Sequence, residues 1–263
     1  MNSRGAKVLE SFEPRAARAE LLAPSSPAAE APLRFAAGLY GAQREIAARL
    51  LDAPLDPDLD AAAGPLLAHA SSLYRYASSG PPALAGEARA RLRDDAQTAR
   101  TRLLVYWSGD PEARSDYLSR ALLKPWVELL ASERRQPVRE RREGTCPFCG
   151  GSAWMATRRT LPETHGAQRN LVCALCAGVW EFPRIRCPSC GEADPAKLPT
   201  FQDPGNAAVR IEACDSCKRY VKSIDLSLDA RPIPEVDDLA SLPLDLWAAE
   251  EGYERIEPGL AGI

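Results

Sequence analysis

Two stretches, Gly144–Trp154 (GTCPFCGGSAW) and Arg184–Asp194 (RIRCPSCGEAD), carry the same Cys-Pro-X-Cys-Gly knuckle, 41 residues apart. The remaining cysteines extend the repeat. Cys146 and Cys149 are followed, after 23 residues, by Cys173 and Cys176, and Cys187 and Cys190 are followed, after another 23, by Cys214 and Cys217. All eight cysteines of the chain therefore fall into four Cys-X-X-Cys pairs, and adding 41 to each number of the first set gives the second. That regularity reads as an internal duplication. Arg169 and Arg210, each four residues before the third cysteine of its unit, obey the same offset.

The spacing suits a metal. A tetrahedral site needs four thiolates at about 2.3 Å from one ion. Two residues between cysteines form a tight turn that aims both sulfurs at one point, and a 23-residue loop lets a hairpin bring the second knuckle opposite the first. Gly150 and Gly191 allow positive φ after the leading knuckles, and Pro147 and Pro188 stiffen them. The trailing knuckles, CALCA and CDSCK, lack that glycine. The eight metal-ligand candidates are thus Cys146, Cys149, Cys173 and Cys176 in one site and Cys187, Cys190, Cys214 and Cys217 in the other. A single pair could be a redox dithiol or a cystine, but four pairs at duplicated spacing favour two metal ions per chain. All-thiolate tetrahedral sites take zinc, or a single iron as in rubredoxin. The two histidines are His69 and His165; four sulfurs complete each shell without them, so His165, inside the first hairpin, is expected at the surface.

Composition bounds the function. With 263 residues, 45% hydrophobic and 26% charged, the chain reads as ordinary globular protein of one large or two small domains. A formal net charge of −3 gives no electrostatic case for nucleic acid or an anionic membrane. Residues 141–222 hold twelve Lys and Arg against eight Asp and Glu, and two divalent ions with four thiolates each would cancel that surplus of four. The N-terminus lacks the apolar stretch of a signal peptide, and no run approaches a membrane span. The expected location is the cytoplasm, where thiols stay reduced. The sequence has no phosphate loop, no Gly-X-Ser-X-Gly and no His-Glu-X-X-His, so no catalytic residues are assigned. Asp237 and Asp238 are adjacent carboxylates, read as helix-capping groups.

Residues 1–140 read as helical. Apolar positions recur at helical spacing over Phe35, Leu39, Ala42, Ile46 and Leu50, over Leu66, Ala70, Leu73 and Ala77, and over Leu92, Ala96, Ala99, Leu103 and Tyr106. A fourth helix is expected from a start signal at Asp110-Pro111-Glu112, carrying Leu118, Leu122 and Leu129, with Pro125 a kink or break. The charged stretch SERRQPVRERREGT marks the boundary. Beyond it, RNLVC, VWEFPRIRC and AVRIEAC suit short strands running into the knuckles. Near the end, Asp237 or Asp238 is expected to cap a turn with Leu239 and Leu242, and Pro243 to start a helix with Leu246 and Trp247 that Gly252 ends. The expected architecture is α+β. A helical domain (1–140) precedes two tandem rubredoxin-like or zinc-ribbon-like four-cysteine modules (144–182 and 183–222) and a short helical tail (223–263).

The ordered series CPFCGG, RNLVCALCAGVWEFPRIRCPSCG, EACDSCKRYVKSIDL and VDDLASLPLDLWAAEEGYER resembles the formate dehydrogenase accessory proteins of the FdhE family. The segments FEPRAARAELLA, LRFAAGLYGAQ and ALLKPWVELLA extend the likeness into the helical half. The resemblance implies a helical domain followed by two rubredoxin-like modules with iron as the usual metal. It also implies a cytoplasmic assembly factor rather than an enzyme, acting on the catalytic subunit of a respiratory formate dehydrogenase before export. Two other classes stay open from the residues alone: a rubredoxin-like electron carrier, and a zinc-ribbon nucleic-acid binder, which the charge balance disfavours.

Overall fold

The computed structural model describes residues 3–160, 167–203, 205–260 and 262. The chain divides into two compact units, Met1–Glu140 with Leu260–Gly262, and Arg141–Gly259.

The first unit is helical: α1 (Ser3–Leu22), α2 (Glu30–Leu50), α3 (Leu59–Ala77), α4 (Pro82–Arg91), α5 (Ala96–Ser108) and α6 (Tyr117–Ser132). The predicted stripes of α2 and α3 face inward: Phe35, Leu39, Ile46 and Leu50 are buried, as are Leu66, Ala70, Leu73 and Ala77. The third stripe breaks. Asp95 accepts from the Thr98 N–H and starts α5 afresh, so Leu92 and Ala96 lie exposed while Leu103 and Tyr106 stay in the core. The fourth start signal is also displaced. Asp110 caps only a 3₁₀ turn, Pro111–Ala113, and α6 begins after Asp116, whose carboxylate accepts from the Ser119 N–H at 2.9 Å. Leu118, Leu122 and Leu129 are buried as expected.

Helix α6 runs through Pro125 without stopping. A proline cannot donate to the carbonyl four residues back, here Ala121. Gln43, buried on α2, supplies the donor instead: its Nε2 lies 2.8 Å from the Ala121 carbonyl oxygen. Trp126, next in sequence, is buried, and its indole N–H donates to the Asp56 carbonyl at 3.0 Å.

The second unit is built on one mixed sheet. Its strands are β1 (Ala153–Thr160), β2 (Ala167–Cys173), β3 (Val179–Glu181), β4 (Thr200–Asp203), β5 (Asn206–Cys214), β6 (Arg219–Asp225) and the short β7 (Glu254–Arg255). The order is β3-β2-β1-β6-β5-β4, with β7 beside β6. Each cysteine unit contributes an antiparallel three-strand meander, β1-β2-β3 and β4-β5-β6. They join where β1 lies parallel to β6, Met155 opposite Lys222 and Arg158 opposite Asp225.

One face of the sheet carries Met155, Val172, Val209, Ile211, Tyr220 and Ile224 and packs against α8 (Leu242–Glu250) through Leu244 and Ala248, while α7 (Pro234–Ala240) lies against β1. The tail differs from expectation in two places. Leu246 is exposed, Leu244 and Ala248 making the buried contact instead. Asp238 is not a cap but the centre of a buried ion cluster: Lys222 Nζ lies 2.9 Å from its carboxylate and 2.5 Å from that of Asp245, and Arg255 donates to Asp238 at 2.9 Å. Asp237 accepts from the Ile233 N–H, four residues back, at 2.8 Å. Gly252 adopts φ +79° just after α8, as its expected position at the helix end requires.

Candidate metal centres

Every predicted ligand is brought into one of two clusters. Cys146, Cys149, Cys173 and Cys176 form the first, and Cys187, Cys190, Cys214 and Cys217 the second; within each, the sulfurs all lie within 4.8 Å of one another. In both, the leading knuckle is a loop, the third cysteine ends a strand (β2 or β5), and the fourth sits in the turn to the next strand. Cys146 and Cys176 Sγ are 3.6 Å apart and Cys149 and Cys173 Sγ 3.4 Å; the second site repeats this with Cys187 and Cys217 at 3.7 Å and Cys190 and Cys214 at 3.6 Å. A disulfide needs about 2.05 Å. Four sulfurs at about 2.3 Å from a central ion would lie about 3.8 Å apart, so the donor set fits a tetrahedral ion in each cluster.

The backbone around the sulfurs is shaped for the same purpose. The Gly150 and Gly191 N–H groups donate to the carbonyls of Cys146 and Cys187 at 2.8 and 3.0 Å, and both glycines have positive φ, 69° and 80°. The trailing knuckles make the same left-handed turn without glycine, at Ala177 (φ 53°) and Lys218 (φ 55°). These two positions are also 41 residues apart, a signal present in the sequence but masked by their unlike side chains. Backbone N–H groups of Leu175, Gly178 and Ser189 approach the sulfurs of Cys173, Cys176 and Cys187 at 3.4, 3.3 and 3.4 Å, which stabilises thiolate charge. Gly151 is a further requirement that the reading of the knuckles missed. A Cβ there would sit 2.8 Å from Cys173 Sγ and 3.3 Å from Cys149 Sγ. His165 lies outside the described residues, and His69 is on α3 of the helical unit.

The two clusters differ in exposure. All four cysteines of the first are buried, whereas Cys190 is exposed and Cys217 half-buried in the second. Burial pushes the Cys173 and Cys187 thiols well above the ordinary thiol range. Metal binding at these sites must therefore displace protons, and loading weakens as pH falls. Four sulfurs leave no open coordination position of the kind hydrolytic metals use.

A helical unit and a sheet carrying two closed four-thiol sites, each able to hold one metal ion, define the molecule as an α+β protein with paired cysteine centres. Comparison with known proteins places it further. A family profile described as "FdhE, C-terminal domain" matches residues 185–260. The protein named Protein FdhE homolog from Pseudomonas putida is 32% identical over 217 residues, 79% of this chain and 68% of that protein. A Protein FdhE homolog from Pectobacterium atrosepticum is 29% identical across 93% of this chain and 84% of its own length. The crystal structure of the FdhE protein from Pseudomonas aeruginosa matches with a TM-score of 0.68 at 29% identity, covering 95% of both chains. The chain belongs to the FdhE family.

Proposed function

We propose that the protein is a cytoplasmic accessory factor that binds the catalytic subunit of a respiratory formate dehydrogenase and is needed for that enzyme's activity, without being an enzyme itself. The observation that carries this reading is family membership that spans the helical unit as well as the cysteine unit. A mere metal-ribbon likeness would cover the cysteines alone. The closed donor sets agree with it, because a site with no open position stabilises a surface rather than performing hydrolysis. All eight cysteines are assigned as ligands, with iron as the metal and zinc the alternative. Among the described residues no helix is long and apolar enough to cross a membrane.

The test has two arms. Deleting the gene in its own organism should abolish formate oxidation while leaving the enzyme's message in place, and tagged protein should capture the immature catalytic subunit from the cytoplasm. Full activity in the deletion strain together with no capture would overturn the proposal. The exposure of Cys190 favours one other reading, electron transfer through the second site. Protein loaded with redox-inactive zinc separates the two: an assembly factor still restores activity, and an electron carrier does not.

A further inference from the structure

The duplicated arginines of the sequence, Arg169 and Arg210, meet in space. Arg169 Nε donates to Glu212 Oε2 at 2.7 Å, and Arg210 donates through Nη2 to Glu212 Oε1 at 2.7 Å. Glu212 therefore clamps two guanidinium groups, one on each carboxylate oxygen, on the sheet face opposite α7 and α8.

More positive charge gathers on that face than Glu212 neutralises. Arg158 on β1 lies directly opposite Arg169 on β2 in the strand register, a like-charge pairing that destabilises a sheet by itself. Asp225 approaches Arg158 only at 3.4 Å, and the buried Arg158 Nε has no hydrogen-bond partner among the described residues. Arg184, exposed on the loop after β3, completes the group. These four arginines line one cavity of about 360 Å³, with Ile185, Leu198 and Thr200 supplying part of the remaining wall. Four guanidinium groups stand against two carboxylates there, Glu212 and Asp225. Guanidinium forks match the planar oxygens of carboxylate and phosphate groups, and the apolar wall suits an organic body behind such a group.

We propose that this cavity is an oxyanion-binding site, organised by the Arg169–Glu212–Arg210 clamp, for a ligand that presents carboxylate or phosphate groups to Arg158 and Arg184. The site does not depend on the identity of the protein's partner. A smaller cavity reaches from Arg169, Arg184 and Arg210 to Cys187 and Cys214. The competing explanation is therefore that the arginines only offset the thiolate charge of the second cysteine cluster.

Calorimetric titration of the whole, metal-loaded protein at low salt decides between them. Two probes are used, pyrophosphate and a blocked tetraglutamate peptide. The expected result is saturable binding of one equivalent that weakens with added chloride. Arg184→Glu, at an exposed position, should weaken it by about ten-fold or more with no change in melting temperature or metal content. Arg158→Gln should do the same, and Arg158→Lys should restore part of the affinity. Arg231→Glu, on an exposed side chain that does not line the cavity, serves as the control for net charge and should change little. Tighter binding of tetraglutamate assigns the ligand to a protein segment, and tighter binding of pyrophosphate to a free phosphate compound. No saturable binding of either probe, or equal losses from Arg184→Glu and Arg231→Glu, overturns the proposal and leaves charge compensation as the arginines' purpose.

Discussion

At the scale of single residues, the cysteine knuckles depend on backbone conformation as much as on sulfur. Gly150 occupies a left-handed position with φ 69°. An L side chain there costs about 1–2 kcal/mol, so Gly150→Ala should lower the unfolding free energy of the metal-loaded protein, measured by denaturant titration, by that amount. Ala177, in the same conformation in the trailing knuckle, already bears the strain. Ala177→Gly should be neutral or stabilise by up to about 1 kcal/mol, and a loss comparable to that of Gly150→Ala would refute the equivalence of the two turns. The second residue-scale test is Asp238. Burial would raise its carboxyl, but Arg255 and Lys222 hold it down at about 2. Asp238→Asn leaves two buried cations short of an anion and should cost about 3–5 kcal/mol at pH 7. A carboxylate with a depressed folded pKa stabilises the fold above its unfolded value of about 3.9, and that contribution disappears as pH falls through the folded value. The gap between wild type and Asp238→Asn should therefore narrow between about pH 4 and pH 2 in unfolding measured by circular dichroism; metal release at low pH affects both proteins and cancels in the difference.

At the scale of elements, α6 illustrates a sequence rule overruled by a distant partner. Pro125 reads as a break because it removes a donor to the Ala121 carbonyl. Gln43 fills that vacancy from α2. Gln43→Leu should therefore leave a buried carbonyl without a partner and cost about 1–3 kcal/mol. In a Pro125→Ala background the helix supplies its own N–H, so the same Gln43→Leu substitution should cost clearly less. Equal costs in the two backgrounds, measured as a double-mutant cycle by urea unfolding, would show that Gln43 acts through something other than the proline. The start of α6 teaches a related lesson. Asp110-Pro111 and Asp116 both suit a cap by residue type, but the sequence pattern singles out only the first. The long helix begins at the second, where Asp116 also meets Arg91 at 2.6 Å, a contact between residues distant in sequence.

At the scale of the whole molecule, the duplication produces two meanders that share one sheet through the β1–β6 pairing. Each cysteine cluster draws its ligands from one meander only, since Cys146–Cys176 and Cys187–Cys217 do not interleave. Element analysis of freshly purified protein should give two metal ions per chain. Cys146→Ser and Cys214→Ser should each lose one ion while the other site stays loaded, and proton release should accompany reloading. Loss of both ions from either variant would instead mean that the sheet couples the sites. The loss should also cost solubility and hydrogen-exchange protection across residues 144–222, because small modules with little core need the metal to fold.

What the sequence determined by itself was whatever is encoded at short range or by exact repetition. The eight cysteines, their grouping by fours, the glycines after the leading knuckles, the buried faces of α2 and α3 and the helical tail all follow from spacing, because a turn or a helical stripe is set by residues a few positions apart. Only the tertiary structure decided that Asp116 rather than Asp110 starts α6, that Gln43 lets a helix pass through Pro125, and that Asp238 joins an ion cluster rather than capping a helix. It also decided that Arg158, Arg169, Arg184 and Arg210, spread over more than fifty residues, line one cavity. In each of these cases a side chain's free energy is set by a partner far along the chain. No local pattern records such a partner, since only the packing of strands and helices brings the two together.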